Sequence, residues 1–410
     1  MSMPAELIRP HVMLDRLLKG LADAPAIHIH GLSSDSRRLH AGDVFVALQG
    51  DTAHGLDYLH EAIAAGVSAV LWDPASREEN PRQVDVPVVP VPALAAQLGT
   101  IANRWFGAPS ASLAVTGVTG TNGKTTVAFL IAQCLKVLGR ETGYIGTLGA
   151  GIDELSPAGN MTTPACIDLH GLLADFRDAG AVQAALEVSS HGIQQNRIDG
   201  VHFDAAVFTN LSRDHVDYHG DMASYAATKA RLFLEHAPRH SIINVDDEYG
   251  RQLARQCAGD VIAVTTRGTA AAEGARRLSL RIVSAVDPGF RVAVGGSFGD
   301  AAFHLPLYGE YNVANAGAVL ARMLTQGIDM TDACEVLGRV TPPGGRMQRV
   351  RHAARPAVFV DYAHTPAGLE AALRALATHC EGRLWCVFGC GGERDQGKRP
   401  MMGQAAERHA

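Results

Sequence analysis

Residues 112–130 read SLAVTGVTGTNGKTTVAFL. The chemistry-bearing part is Gly120-Thr121-Asn122-Gly123-Lys124-Thr125-Thr126. Its glycines let backbone N–H groups approach an anion, and a helix starting behind them adds its positive end. Lys124 is placed to reach the outer phosphates of a nucleotide, and the Thr125 hydroxyl to bind Mg²⁺. A strict phosphate-loop spacing needs glycine where Val118 stands, and Gly117 is one place early. The flanks argue for a phosphate loop all the same. Leu113–Val115 is an apolar strand run. Val127, Leu130, Ile131, Cys134, Leu135 and Leu138 recur at helical spacing, and Gly139 is placed to end the helix. The competing reading is a plain glycine turn, and the Lys-Thr pair after the last glycine speaks against it.

Three further stretches carry polar chemistry. In LEVSSHGIQQNR, residues 186–197, Glu187 ends a predicted strand, where an acidic residue can meet a nucleotide's metal. Ser189, Ser190, His191, Gln195 and Arg197 follow, a dense polar set for an oxygen-rich ligand or a plain polar loop. In TNLSRDHVDYHGD, residues 209–221, His215, Asp217 and His219 are either metal ligands or part of a solvated loop. His215 carries more weight because it follows a strand of the same predicted sheet. In YAATKARLF, residues 225–233, Lys229 sits among Ala226, Ala230, Leu232 and Phe233. Such a lysine either snorkels to the surface or is desolvated, and desolvation yields a nucleophilic free amine. That amine can take up CO₂ as a carbamate, which is negative and can bridge Mg²⁺.

The elements that must position these residues read as α/β. A chain of 410 residues, 47% hydrophobic and 19% charged, can bury two to four cores. The net charge of −6 argues against broad nucleic-acid or anionic-membrane binding. The seven cysteines (134, 166, 257, 334, 380, 386 and 390) contain no C-x-x-C and fit a reducing cytoplasm. No segment has the pattern of a signal peptide or a membrane span. Residues 1–108 form a small mixed unit with Gly107–Ser110 as linker. Residues 109–340 alternate strands and helices as a doubly wound sheet. At its end, Leu278–Ser284, Arg291–Val294 and Ala302–Leu305 alternate as an antiparallel ribbon turning at Asp287-Pro288-Gly289. Thr341–Gly345 marks a second boundary. The remainder offers strand Ala357–Val360, a helix from Pro366 to about Thr378, strand Arg383–Phe388 and a last helix. That is about half of an α/β domain, so this part is expected to be truncated or the start of a longer one.

TGTNGKTT, EVSSHGIQQNR, TNLSRDHVDYHG, YAATKARLF, GEYNVANA, GGRMQ, DYAHTP and GCGGERDQGKRP stand in the order found in Mur ligases. The chain resembles that family along its whole length. The resemblance implies three domains. They are a UDP-sugar-binding part (1–108), a central ATP-binding P-loop part (109–340) and the first part of a Rossmann-like, amino-acid-binding part (341–410). It implies a cytoplasmic, monomeric ATP- and Mg²⁺-dependent amide ligase of peptidoglycan synthesis. The motifs are most similar to those of members that add the third amino acid to UDP-N-acetylmuramoyl-L-alanyl-D-glutamate.

The same resemblance implies site roles. Gly120 to Thr126, Asn312, Arg346 and Asp361 hold the nucleotide, with His364 beside Asp361. Thr125, Glu187, His215 and a carbamylated Lys229 are the metal ligands. Ser34, Ser36, Asp51, Thr52 and Ala53 meet the uridine nucleotide. Thr162, Thr163, Ser189, Gln195 and Arg197 meet the muramoyl dipeptide, and Arg394 the incoming amino acid. GCGGERDQGKRP favours meso-diaminopimelate over L-lysine. Water must be kept from an acyl phosphate, so the third part is expected to close over the second, hinging near Thr341–Gly345. Competing readings are another Mur-type ligase, a folylpolyglutamate synthase and a P-loop NTPase that does not ligate. A folylpolyglutamate synthase lacks the uridine-nucleotide part.

Overall fold

A computed structural model describes residues 12–50, 52–77, 84–159, 161–350, 356–390 and 397–410. The chain forms two compact units. The first runs to Ala111 and takes in Ala165–Asp175 and Gln195–Val201; the second holds the rest.

In the first unit, strands Gly31–Ser33, Asp43–Ala47, Ala69–Trp72 and Val88–Pro90 pair side by side, all parallel. Successive side chains face opposite sides. Val44, Val46, Ala69 and Leu71 pack on helix Leu94–Trp105 through Leu94, Leu98, Ile101 and Trp105. Phe45, Ala47, Val70 and Trp72 pack on the other face with Leu56 and Ala62. The expected linker is not loose, since Pro109 and Ser110 are buried in a 3₁₀ turn.

The second unit is built on one ten-stranded sheet. Its parallel centre runs Arg276–Ala285, Asp260–Thr265, His240–Asn244, Phe203–Phe208, Ala114–Thr119, Gln183–Glu187, Thr142–Gly146. Gly149–Gly151 adds an antiparallel edge on one side. Phe290–Gly296 and Ala301–Leu305 add the antiparallel ribbon on the other. Strand Ala114–Thr119 is flanked by strands from later and opposite crossovers, so a crevice opens at its carboxyl end. Helices Lys124–Val137 and Tyr311–Thr325 cover one face, where Val127, Leu130 and Ile131 meet Val118, Ile242 and Ile262 in one core with Val313, Val319 and Leu320. Among the described residues, no helix is long and apolar enough to cross a membrane.

The segment after residue 341 belongs to this unit. Strands Gln348–Val350 and Val358–Val360 pair antiparallel. Helix Pro366–Ala377 starts at Thr365, whose Oγ1 accepts from Gly368 N at 3.1 Å, with proline at the first turn. Helix Lys398–His409 packs on it through Met402. The strand expected at Arg383–Phe388 is not formed. Its alternation is real: Leu384 and Cys386 lie against Leu369 and Leu373. Trp385 is 82% and Val387 100% exposed, however, and the run has no hydrogen-bonded neighbour among the described residues. A strand needs such a neighbour to satisfy its backbone.

One buried ion pair ties the sheet to the helix behind the crevice. Arg322 has no exposed surface; its Nη1 lies 2.7 Å from Asp204 Oδ2, and its Nη2 donates to Gln183 Oε1 at 3.3 Å. Asp204 and Gln183 sit on the strands that carry Thr209 and Glu187 at their far ends. Replacing Asp204 with Ala strands a buried guanidinium and is expected to cost about 3 kcal/mol, the low end for breaking such a pair. Arg322→Met, which leaves only a part-exposed carboxylate behind, costs less. Urea midpoints check this, and an Asp204→Ala protein as stable as the parent contradicts it.

Candidate active site

The residue at 118 is explained by the strand. Ala114–Thr119 extends through Val118, which is wholly buried, so the loop begins only at Gly120. Gly120 has φ +143°, and a Cβ there would stand 2.0 Å from Thr209 Oγ1. Gly123, with φ +89°, opens helix Lys124–Val137. The loop is fastened to the segment that follows the neighbouring strand of the sheet, Phe203–Phe208. Thr121 N donates to Asn210 O at 2.9 Å and Asn122 N to Asn210 Oδ1 at 3.0 Å. Thr209 Oγ1 donates to Asn122 O at 2.6 Å, and Ser212 N to Thr121 Oγ1 at 2.9 Å.

Two lysines meet at this loop. Lys124 Nζ donates to Gly120 O and Thr121 O, both at 2.9 Å. Lys229 Nζ donates to the same Gly120 O at 2.9 Å and lies 4.5 Å over the Tyr225 ring. Lys229 is 1% exposed, so of the two fates open to it, burial is the one adopted. Burial first, then the Lys124 charge, hold its pKa well below the ordinary lysine value, with Asp214 opposing. Burial also lowers Lys124, against Glu187 and Asp214.

Glu187 is fully buried and heavily solvated by protein. Thr125 Oγ1 donates to its Oε2 at 2.8 Å; Tyr144 Oη and Thr147 N donate to its Oε1 at 2.5 and 2.8 Å. Arg346 Nη2 reaches Thr125 Oγ1 at 3.0 Å, its guanidinium 4.3 Å over the Tyr362 ring. Beside Glu187, Thr163 Oγ1 donates to its backbone oxygen at 2.8 Å and accepts from Ser189 N at 2.9 Å. Thr162 Oγ1 lies 3.2 Å from Thr147 Oγ1. Thr126 is buried on the first turn of the helix.

His215 adopts a left-handed φ of +52° at the start of helix Val216–His219. Its N donates to Asp214 Oδ1 at 3.0 Å, and its ring stands edge-on to His191 at 4.8 Å. Burial lowers its pKa against Asp214, favouring the neutral, metal-binding imidazole. Asp217 is exposed, and His219 Nε2 lies 2.9 Å from Ser190 Oγ. Asn312 is tied into its own helix start, giving Nδ2–H to Tyr308 O at 2.7 Å and accepting from Asn315 Nδ2 at 2.8 Å. Asp361 accepts from Met347 N and Ala363 N at 2.8 and 2.9 Å, and His364 is exposed beside Tyr362.

The structure thus gathers Gly120 to Thr126, Glu187, Lys229, Arg346, Thr162, Thr163 and Ser189 in the second unit. Gln195 and Arg197 belong to the first, with Arg197 Nε donating to Gln195 Oε1 at 3.0 Å. So do Ser34 and Thr52, both exposed, Ser36, and Ala53, whose carbonyl accepts from Gly50 N at 3.0 Å. Asp51 and Arg394 lie outside the described residues. Sequence reasoning missed Tyr144, Thr147, Asn210, Asp214 and Asn315. Tyr144 lies in the middle of strand Thr142–Gly146 and Thr147 just after it, beside the strand that Glu187 ends, and Asp214 directly precedes His215. Strand-end position was therefore a signal for Thr147 alone.

Among the described residues, no group of three or more His, Cys, Asp or Glu side chains is spaced to hold a metal. Thr125 and Glu187 nonetheless offer adjacent hard oxygens, and Mg²⁺ commonly takes one or two carboxylates and leaves its other positions to phosphates and water. The donor set fits Mg²⁺. With Lys124 and Arg346 alongside, the crevice can bind a polyphosphate and stabilise charge developing on it.

Residues 28–106, 118–323 and 345–410 match family models described as Mur ligase family, catalytic domain; Mur ligase middle domain; and Mur ligase, glutamate ligase domain. The UDP-N-acetylmuramoyl-L-alanyl-D-glutamate--2,6-diaminopimelate ligase of Xanthomonas campestris pv. campestris is 45% identical over 399 residues, 96% of this chain and 79% of the relative. The Pseudomonas putida protein of the same name is 41% identical, over 100% of this chain and 81% of its own. A solved structure of a ligase of that name superimposes with TM-score 0.78 at 32% identity, covering 98% of this chain and 81% of that one.

The lysine pair is expected to cost stability. A base whose folded pKa is lowered binds fewer protons folded than unfolded, so its contribution improves as pH rises toward the unfolded value. Lys229→Met removes that penalty. The variant is expected to unfold at higher urea than the parent at pH 7, with the gain shrinking toward pH 10. A gain that grows with pH, or a loss at pH 7, contradicts this.

Proposed function

The chain belongs to the Mur ligase family, and on that premise we propose that it adds an amino acid to UDP-N-acetylmuramoyl-L-alanyl-D-glutamate at the expense of ATP. The amino acid is diaminopimelate, in its meso form; the names of the relatives at 41% and 45% identity carry 2,6-diaminopimelate. The observation that carries the reading is the run Arg346–Thr125–Glu187 beside Lys124, cations and a carboxylate set around one phosphate loop.

A free carboxylate is a poor acyl donor. Transfer of the γ-phosphoryl group to it breaks the bond to ADP and forms an acyl phosphate. The amine then attacks the acyl carbon, the tetrahedral adduct expels inorganic phosphate, and the amine's proton is lost to solvent. The first step brings two anions together, and Lys124 and Arg346 offset their repulsion. Backbone N–H groups from Gly120 to Thr126 orient the phosphates. Mg²⁺, held at Thr125 and Glu187 with His215 and carbamylated Lys229 as further contacts, would neutralise phosphate charge. Asn312 and Asp361 serve the rest of the nucleotide.

In the division 1–108, 109–340 and 341–410, the first part takes the uridine nucleotide through Ser34, Ser36, Asp51, Thr52 and Ala53. Thr162, Thr163, Ser189, Gln195 and Arg197 take the muramoyl dipeptide, and Arg394 the amino acid. The protein works as a cytoplasmic monomer, with neither nucleic acid nor membrane as partner.

The test supplies Mg-ATP, the UDP-muramoyl dipeptide and equal meso-diaminopimelate and L-lysine, and follows ADP and peptide mass. The expected product gains one diaminopimelate per ADP. Lys124→Met is expected to lower kcat/KM about 10²–10³-fold. ATP turnover without an acceptor acid contradicts the reading, as does turnover of folate with glutamate; lysine incorporation overturns the choice of amino acid.

A further inference from the structure

Arg346 reaches Thr125 from a linker that is anchored three residues further on. Arg346 N donates to Pro343 O at 3.1 Å and Gly345 N to Gln348 Oε1 at 2.9 Å. Met347 has φ +49°, a conformation a methionine keeps only when its surroundings hold it. Its side chain is 2% exposed and packs with Tyr308, Ala372 and Ala375. Packing does not hold the far side, where a cavity of about 960 Å³ borders Val340, Pro342, Met347 and Arg349.

Polar contacts hold it there. Arg349 Nη1 donates to Tyr308 Oη at 2.9 Å and lies 3.3 Å from Asp287 Oδ2. Tyr308 Oη in turn donates to Asp287 Oδ1 at 2.5 Å. Asp287 sits in the turn between strands Arg276–Ala285 and Phe290–Gly296, the antiparallel ribbon for which the reaction has no evident use. The Arg349–Asp287 pair alone is weak, since its side chains are 41% and 65% exposed. Tyr308 changes that. It is 6% exposed, and its ring stands edge-on to Phe359 at 4.9 Å and His379 at 5.1 Å. Its fixed hydroxyl takes one proton donor and serves one acceptor, so the exposed pair is locked to a rigid group.

We propose that Asp287, Tyr308 and Arg349 are positioning residues that hold the linker so that Arg346 stays on Thr125. The ribbon is then a strut of the nucleotide site. An arginine fixed before binding loses less freedom when the phosphates arrive. The proposal rests on the reading that Arg346 serves the bound nucleotide.

The experiment is a mutant cycle read by binding of fluorescent mant-ATP with Mg²⁺ to the whole chain. Tyr308→Phe keeps the ring and Asp287→Asn the shape. Each is expected to weaken binding about three- to tenfold, with the melting midpoint within about 2 °C of the parent. In an Arg346→Ala background the same changes are expected to add less than about twofold, because the group they aim is gone. Parental affinity in both single variants overturns the proposal, as does the full loss persisting without Arg346. A parent that binds mant-ATP but makes no lengthened peptide counts against the ligase reading alone. A parent that binds no nucleotide sinks both.

Discussion

Two lysine side-chain nitrogens, those of Lys124 and Lys229, converge on one carbonyl oxygen, that of Gly120. Burial lowers the proton affinity of both, and the Lys124 charge lowers that of Lys229 further. Much of the second unit serves to permit this. Asp214 supplies an opposing charge, the Tyr225 ring faces Lys229, and Glu187 and Asp214 both favour the charged form of Lys124. The loop bends without a side chain at Gly120, which leaves its carbonyl aimed at both lysines. Such a pair is poised for an anion: a phosphate group gives Lys124 a better partner than the backbone it now holds.

The sheet explains why the parts meet. Glu187 pairs in register with Val118, and Phe208 with Thr119, so Glu187 and Thr209 end beside the loop on either side. Arg322, Asp204 and Gln183 tie the opposite ends of those strands to helix Tyr311–Thr325. The linker then brings a third basic side chain, Arg346, to Thr125. The fold is thus an arrangement for placing one carboxylate and three basic side chains around a loop of backbone N–H groups.

Much of this was legible in the sequence. Strand runs of the parallel sheet and the ribbon carry period-two or continuous apolar patterns, and their turn residues are punctual. The loop was legible through its flanks, because a strand and a helix with apolar periodicity leave little else for TGTNGKTT to be. Strand Arg383–Phe388 was misread because periodicity reports which faces are apolar and says nothing of whether a neighbouring strand exists. The fate of Lys229 was open for a similar reason: an apolar stretch around a lysine fits both snorkelling and burial, and only packing decides. The partners of Glu187 were missed because Tyr144 and Thr147 come from a strand distant in sequence and the residue just after it, and register is a property of the sheet.

In the proposed reaction the phosphoryl group held at this loop moves to a carboxylate before the amine attacks, and this transfer can run backwards. Positional isotope exchange reads that step directly. ATP labelled with ¹⁸O at the β,γ-bridge is incubated with Mg²⁺ and the UDP-muramoyl dipeptide, with the amino acid left out. Label is expected to scramble into the non-bridging β-oxygens only when the dipeptide is present, and Lys124→Met is expected to abolish the scrambling. Scrambling that ignores the dipeptide, or none in a protein that goes on to ligate, would contradict that transfer.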